Sequence, residues 1–224
     1  LSEVERAYDA LADGYDDHHV DQKSRAEDRL VQSHLTRLLR GARRVADLGA
    51  GTGLLLDLVP LDPSRYVGID ISSRMLARAR DKHPSHTFVH GDYEAQHPEL
   101  PEGSFDAVVS LFGSASYGHL PVVARRVRAL LAPGGRTFLM FCGPRYLQRA
   151  TYINRDNPLL TPHTARELAE AFPGARIWGM SGLVDHLPDR LPRRAWDLAM
   201  RLDAATVGRA ARDHCFFLNV EGRP

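Results

Sequence analysis

Cysteine is nearly missing from this chain. Its 224 residues hold two, Cys142 and Cys215. They lie far apart and outside any C-x-x-C or Cys/His ligand spacing, which argues against a disulfide scaffold and a structural zinc site and suits a reducing cytosol. Charge of one sign is missing as well. Lysines and arginines number 29 against 28 acids, a net charge of +1, so no overall field draws the protein toward a polyanion and nucleic acid is a poor default partner. Lysine itself is confined to Lys23 and Lys82; the arginine richness reads as coding bias. Arg125, Arg126 and Arg128 come closest to a basic patch, but they read as the solvated face of one helix. Long apolar runs are absent too: nothing approaches the roughly 18 uninterrupted residues of a membrane span. The opening LSEVERAYDALADGYDD is charged and helical in pattern, not a basic stub followed by an apolar core. The expectation is a soluble cytoplasmic protein with no membrane partner.

What is present is enough apolar material, 43% of residues, for one substantial core, and a single domain over 1–224 is expected. In AEDRLVQSHLTRLLRG the apolar residues recur at helical spacing and Gly41 supplies the stop. From there short apolar strands alternate with helical stretches: RRVADLG, LLLDLVP, RYVGID, SSRMLARARDKH, HTFVHGD, FDAVVSLFG, PVVARRVRALLAPGG, RTFLMFC. That rhythm writes an α/β fold, a parallel sheet with helices on both faces. Beyond Cys142 it changes. Pro144 to Pro162 is a long connection suited to a lid or substrate loop. A helix is expected from Thr161 to Phe172, with Thr161 as N-cap and Pro162 in the first position. ARIWGMSG and HCFFLNVEG read as strands around a helical insert at about 183–213. The insert is expected to cover the sheet edge, with a homodimer contact or a pocket wall left open.

VADLGAGTG places Gly49, Gly51 and Gly53 just after the first strand. A dinucleotide fingerprint would want its last glycine where Leu54 stands, which speaks against an NAD-dependent oxidoreductase. Asp47 ahead of the glycines would repel a diphosphate and suits an ammonium group. Asp70 ends the second strand 19 residues after Gly51, where a carboxylate can accept both ribose hydroxyls. Asp92, near the end of the third, can accept from an adenine amino group, although alone it reads more readily as a loop or cap residue. Three acids at successive strand ends describe a pocket for a nucleoside carrying an amino acid.

VADLGAGTG, VGIDIS followed by Met75, HGDYEAQ, FDAVVSLFGSASY and LLAPGGRTFLMF resemble, in order, the motifs of the class I S-adenosylmethionine-dependent methyltransferases, across about Arg43 to Cys142. The resemblance is to the bacterial natural-product and amino-sugar members. It implies a Rossmann-like, seven-stranded, mostly parallel sheet with a final antiparallel strand, and S-adenosylmethionine as cofactor with S-adenosylhomocysteine as product. Carried over, Gly49, Ala50 and Gly51 would line the methionine portion, and Asp70 would bind the ribose. Ile71 and Met75 would pack on adenine, Asp92 and Tyr93 would flank its edge, and Leu111 would offer backbone near the amino group. YDALADGYDD resembles the family's N-terminal lid, at about 1–40, with Tyr8 and Tyr15 closing over the cofactor; amphipathic anchoring of a helix explains Tyr8 equally well.

LFGSASYGHLP lacks the Asn/Asp-Pro-Pro-Tyr/Phe motif of adenine amino methylation, a Pro-Cys nucleophile, a metal-holding acid pair and a double-glutamate loop. By elimination the acceptor is a small organic molecule methylated on N, O or C, and no metal is expected. Ser114, Ser116 and Tyr117 would line its pocket. His119 and Tyr15 are the catalytic candidates, His119 because an imidazole titrates near neutrality, although it equally reads as the start of a helix. Arg145, Tyr146 and Tyr152 would grip an acidic or aromatic acceptor, and packing explains them nearly as well. His18 and His19 rank lower; His163, His186 and His214 read as structural. The competing function is a protein of the same fold that binds the cofactor without methyl transfer, as a cyclase, an isomerase or a non-catalytic partner subunit.

Overall fold

The structure is a computed structural model and describes residues 2–146, 159–184, 187–188 and 190–224, with the side chains of 18 and 19 outside the description. Seven strands form one sheet: β1 (Val45–Leu48), β2 (Tyr66–Asp70), β3 (Thr87–His90), β4 (Phe105–Ser110), β5 (Leu131–Cys142), β6 (Ala175–Met180) and β7 (Phe217–Gly222), in spatial order β3-β2-β1-β4-β5-β7-β6. The first five pair in parallel, and β7 runs antiparallel to both β5 and β6. This is the mostly parallel sheet with one antiparallel strand that the motifs imply. The order reverses direction at β1, so β1 and β4 diverge from a shared seam, and a crevice opens beyond their carboxyl ends.

Strand side chains alternate between two apolar layers. Val45, Val109, Phe138 and Met140 face one layer, while Ala46, Val108, Leu139 and Phe141 face the other. Helix α1 spans Glu3–Leu11 and α2 Gln22–Leu38; α2 presents Leu30, Val31, Leu35 and Leu38 to the first layer. Helices α3 (Leu54–Leu58) and α4 (Ser73–Lys82) follow β1 and β2, and α5 (Leu120–Leu130) packs Val123 and Val127 into the second layer. Strand β5 starts five residues ahead of the expected RTFLMFC: Phe105 pairs with Leu131, and an irregularity absorbs the Ala-Pro-Gly-Gly stretch before Ala107 meets Arg136.

Two local expectations are corrected. Helix α6 runs Ala165–Ala171 from Thr164, not from Thr161, because Thr164 and Glu167 close a reciprocal capping box. Thr161 and His163 instead lie outside any helix, donating backbone N–H groups to Ser116 and Cys142 carbonyls. Arg126 is not on a solvated face: it is buried, and its guanidinium donates to the Tyr93 and Leu100 carbonyls at 3.2 and 3.4 Å. Within the insert, α7 (Arg193–Ala205) buries Trp196 and Met200 and ties to α2 through Arg29 and Asp197 at 2.6 Å. Among the described residues no helix is long and apolar enough to cross a membrane.

Candidate active site

The turn after β1 is shaped by backbone that only glycine adopts readily. Gly49, Gly51 and Gly53 all lie in the left-handed region, and a Cβ on Gly49 would fall on the Ser114 side chain. Gly49 and Ala50 donate to the Ile69 carbonyl at 2.8 and 3.0 Å, which stitches the turn to β2. Gly51 N–H then donates to Asp70 Oδ2 at 2.8 Å, and Ser72 N–H to Oδ1 at 2.8 Å. The 19-residue spacing is thus spanned by one hydrogen bond. Each Asp70 oxygen keeps acceptor capacity. Loss of solvent raises its carboxyl above the usual range, against the pull of the two N–H donors. Asp47, one pleat back, is buried and accepts from the Tyr66 hydroxyl at 2.9 Å. Burial pushes it up to about 7.

The loop after β3 brings Asp92, Tyr93 and Glu94 to the same crevice. Tyr93 OH donates to the Ser114 carbonyl at 3.2 Å, and Glu94 Oε1 accepts from His119 N–H at 2.9 Å. Desolvation raises the Glu94 carboxyl. Arg126 pins this loop from behind, which is the role its burial serves. After β4 the chain makes a strained bend: Phe112 has φ +46° and Gly113 φ +90°. A bulky residue in the left-handed region is costly and marks a position fixed by its surroundings. The Phe112 ring packs edge-on against Phe217, with centroids 5.5 Å apart, and a Cβ on Gly113 would stand 2.6 Å from Cys142 Sγ.

The N-terminal segment roofs the crevice. Tyr8 OH donates to Tyr117 OH at 2.9 Å, the two rings meeting edge-on at 5.5 Å, and Tyr15 lies 6.2 Å from Tyr8. Burial drives both lid phenols well above their ordinary range, so they stay neutral. Together these walls enclose a cavity of about 310 Å³.

Every residue expected at the cofactor lines this cavity: Tyr8, Asp47, Gly49, Ala50, Gly51, Asp70, Ile71, Met75, Asp92, Tyr93 and Leu111. So do Tyr15, His119, Ser114 and Tyr117. His119 stands at the N-cap position of α5 and also borders the cavity, so both of its readings meet in one residue. Ser116 does not reach the cavity; it is buried, and its Oγ accepts from Cys142 N–H at 2.8 Å. Arg145 is turned to His214, with 3.3 Å between Nη1 and Nδ1, and Tyr146 is buried beneath Phe216 and Phe217. Neither is among the lining residues. Tyr152 and His186 lie outside the described residues, as do the side chains of His18 and His19. His163 is buried. Sequence reasoning missed Thr52, Phe112 and Glu94 in the wall. All three sit inside the quoted motifs, but only the fold shows which motif residues turn inward. Among the described residues no group of three or more His, Cys, Asp and Glu is arranged to hold a metal ion.

Residues 45–135 match a family model described as a methyltransferase domain, and these residues carry the glycine turn, Asp70 and Asp92. The chain has the class I S-adenosylmethionine-dependent methyltransferase fold. That methyltransferase fold recurs nearly end to end in an S-adenosylmethionine-dependent methyltransferase of Thermotoga maritima, with a TM-score of 0.65, 14% identity and coverage of 98% of each chain. It recurs also in an amino pentose methyltransferase of Micromonospora echinaspora, at TM-score 0.59 and 19% identity, covering 96% of this chain and 97% of that one. In sequence, 103 residues are 38% identical to the trans-aconitate 2-methyltransferase of Paracidovorax citrulli. They make up 43% of this chain and 38% of that enzyme, so the match spans less than half the length of that curated relative.

Proposed function

We propose that the protein is an S-adenosylmethionine-dependent methyltransferase that acts in the cytoplasm, without a metal ion, on a small organic acceptor of the natural-product kind. The observation that carries this reading is the convergence of Asp47, the Gly49–Gly51 turn, Asp70 and Asp92 on one enclosed cavity. The residues fit the cofactor. The Asp47 carboxyl, buried with a phenol as donor, suits an ammonium group that would draw it into its charged form. Asp70, held by two backbone N–H groups, has acceptor capacity left for two hydroxyls. Ile71 and Met75 offer an apolar wall for a base, and Asp92 an acceptor at its edge.

The cofactor, when bound, supplies a methyl group already activated by a sulfonium. The chain's task is then to position the acceptor, exclude water and receive a proton. Alignment alone accounts for about 7 to 11 kcal/mol in favourable cases. Tyr8 and Tyr15 roof the site and keep water out, while Ser114 and Tyr117 orient the acceptor through their hydroxyls. A ring nitrogen of His119 receives the proton where the acceptor carries one. The trans-aconitate and amino pentose enzymes both take small acceptors by their names, which supports this class.

The test is to bind S-adenosylhomocysteine by calorimetry and to incubate the protein with methyl-labelled S-adenosylmethionine and a panel of amines, phenols and carboxylic acids. Micromolar binding and label in a small molecule are expected. No binding overturns the reading, and binding without transfer to any acceptor would favour the non-catalytic alternative.

A further inference from the structure

Helix α1 is attached unlike its neighbour α2. Glu5 is the one residue of α1 shut off from solvent, Tyr8 keeping part of its surface exposed, whereas α2 buries seven, so apolar packing holds the roof only weakly. A row of charges holds it instead. Asp9, Asp13 and Asp16 recur at spacings that share a face of the N-terminal segment, and Arg74, Arg78 and Lys82 recur every fourth residue along α4. The rows interlock. Asp9 Oδ1 accepts from Ser72 Oγ at 2.6 Å and from Arg74 N–H at 3.2 Å. Asp13 reaches Arg74 through one carboxylate oxygen at 2.6 Å and Arg78 through the other at 3.0 Å, and its main-chain carbonyl accepts from Arg78 as well. Asp16 accepts from Thr52 Oγ1 at 2.6 Å and from Lys82 Nζ at 3.1 Å, with Lys82 shared with Asp57.

We infer that this carboxylate row is a latch: Asp9, Asp13 and Asp16 are positioning residues that hold Tyr8 and Tyr15 over the cavity and set how fast a bound cofactor leaves. The partners of the latch support this. Thr52 belongs to the glycine turn, and Ser72 and Arg74 follow directly on Asp70 and Ile71, so the elements that shape the floor are the ones that receive the roof. A ligand that orders the floor therefore strengthens the latch, and the reverse holds by linkage. Strength is matched to opening. The Asp13, Arg74 and Arg78 side chains are 69%, 50% and 46% exposed, and pairs so exposed are individually weak and screened by salt over about 8 Å at physiological ionic strength. A roof held by such a row can open without disturbing the core, as a site that admits and releases ligand requires.

The off-rate arm of the test rests on the methyltransferase reading; the exchange arm does not. In the ligand-free full chain, hydrogen exchange of residues 3–16 is followed beside that of α2. Raising salt from roughly 50 to 500 mM is expected to speed the first several-fold and to change the second much less, because exposed pairs hold the first while seven buried residues hold α2. Asp13→Arg sets a cation against Arg74 and Arg78. It is expected to accelerate exchange in 3–16 and S-adenosylhomocysteine dissociation about tenfold. Combining it with Arg74→Asp and Arg78→Asp restores opposite charges and should bring both to within about threefold of wild type. Exchange in 3–16 that ignores salt and Asp13→Arg alike overturns the latch, as does a charge-swapped protein that melts like wild type but is not restored. Failure of the wild type to bind S-adenosylhomocysteine would instead strike the proposed activity, while the exchange result still judges the latch.

Discussion

On the floor of the cavity Asp70 receives two backbone N–H groups at 2.8 Å and Asp47 a buried phenol at 2.9 Å; in the roof Asp13 meets the Arg74 and Arg78 side chains, which stand about half in water. The same residue type does different work in the two places. Where solvent is excluded, a carboxylate that lost its partners would be left desolvated, so its geometry is fixed and its removal is costly. Where solvent is present, charges are screened and replaceable, and the attachment stays reversible.

That contrast can be broken most severely at Asp70. Asp70→Ala leaves the Gly51 and Ser72 donors without a carboxylate, and hydrogen bonds to charged groups are worth about 1.5–3 kcal/mol each. Binding of S-adenosylhomocysteine, measured by calorimetry, should weaken by about a hundredfold or more; a loss within threefold would show that the floor is no more exacting than the roof. A middle-sized effect is expected from Asp47. Its folded pKa of about 7 lies above the ordinary carboxyl range, so between the two values only the folded chain keeps the proton. Its contribution to stability is full at low pH and is lost as pH climbs through about 7. An ammonium ligand favours the ionised form, so affinity should rise with pH up to about 7, by at most about tenfold per unit, then level off. Titrating binding and melting temperature against pH checks both, and Asp47→Asn should flatten both curves. The smallest change belongs to the roof. Tyr8→Phe deletes the 2.9 Å hydroxyl contact with Tyr117 and keeps the ring, at about 0.5–1.5 kcal/mol. A rise in KM of roughly two- to tenfold with an unchanged melting temperature is the kinetic result that sharpens the comparison.

The floor was legible in the sequence and the roof latch was not, for the same physical reason. Gly49, Gly51 and Asp70 act through backbone conformation and strand ends, which local spacing encodes. Asp9 and Arg74 meet across 65 positions, and nothing local distinguishes a latching aspartate from a solvated one. Arg126 shows the limit from the other side: it repeats with Arg125 and Arg128 on one amphipathic helix, yet the loop behind Tyr93 encloses it. Thr161 reads as the cap, yet the role falls to Thr164, which has a glutamate three positions on to close the box. Ser116 was drawn toward the acceptor by its neighbours Ser114 and Tyr117, but a short turn alternates inward and outward faces, and its hydroxyl went to the Cys142 backbone.

Phe112 occupies a main-chain shape that a bare α-carbon would adopt with ease. A glycine at this point would relax the bend and in the same stroke strip an aromatic panel from the chamber, so ease of folding and closeness of fit pull opposite ways at a single site. What keeps the ring in place is its edge-on partner Phe217, which arrives on the one strand that runs against the rest of the sheet. The far end of the chain thereby decides the contour of a chamber whose other walls belong almost wholly to its first half.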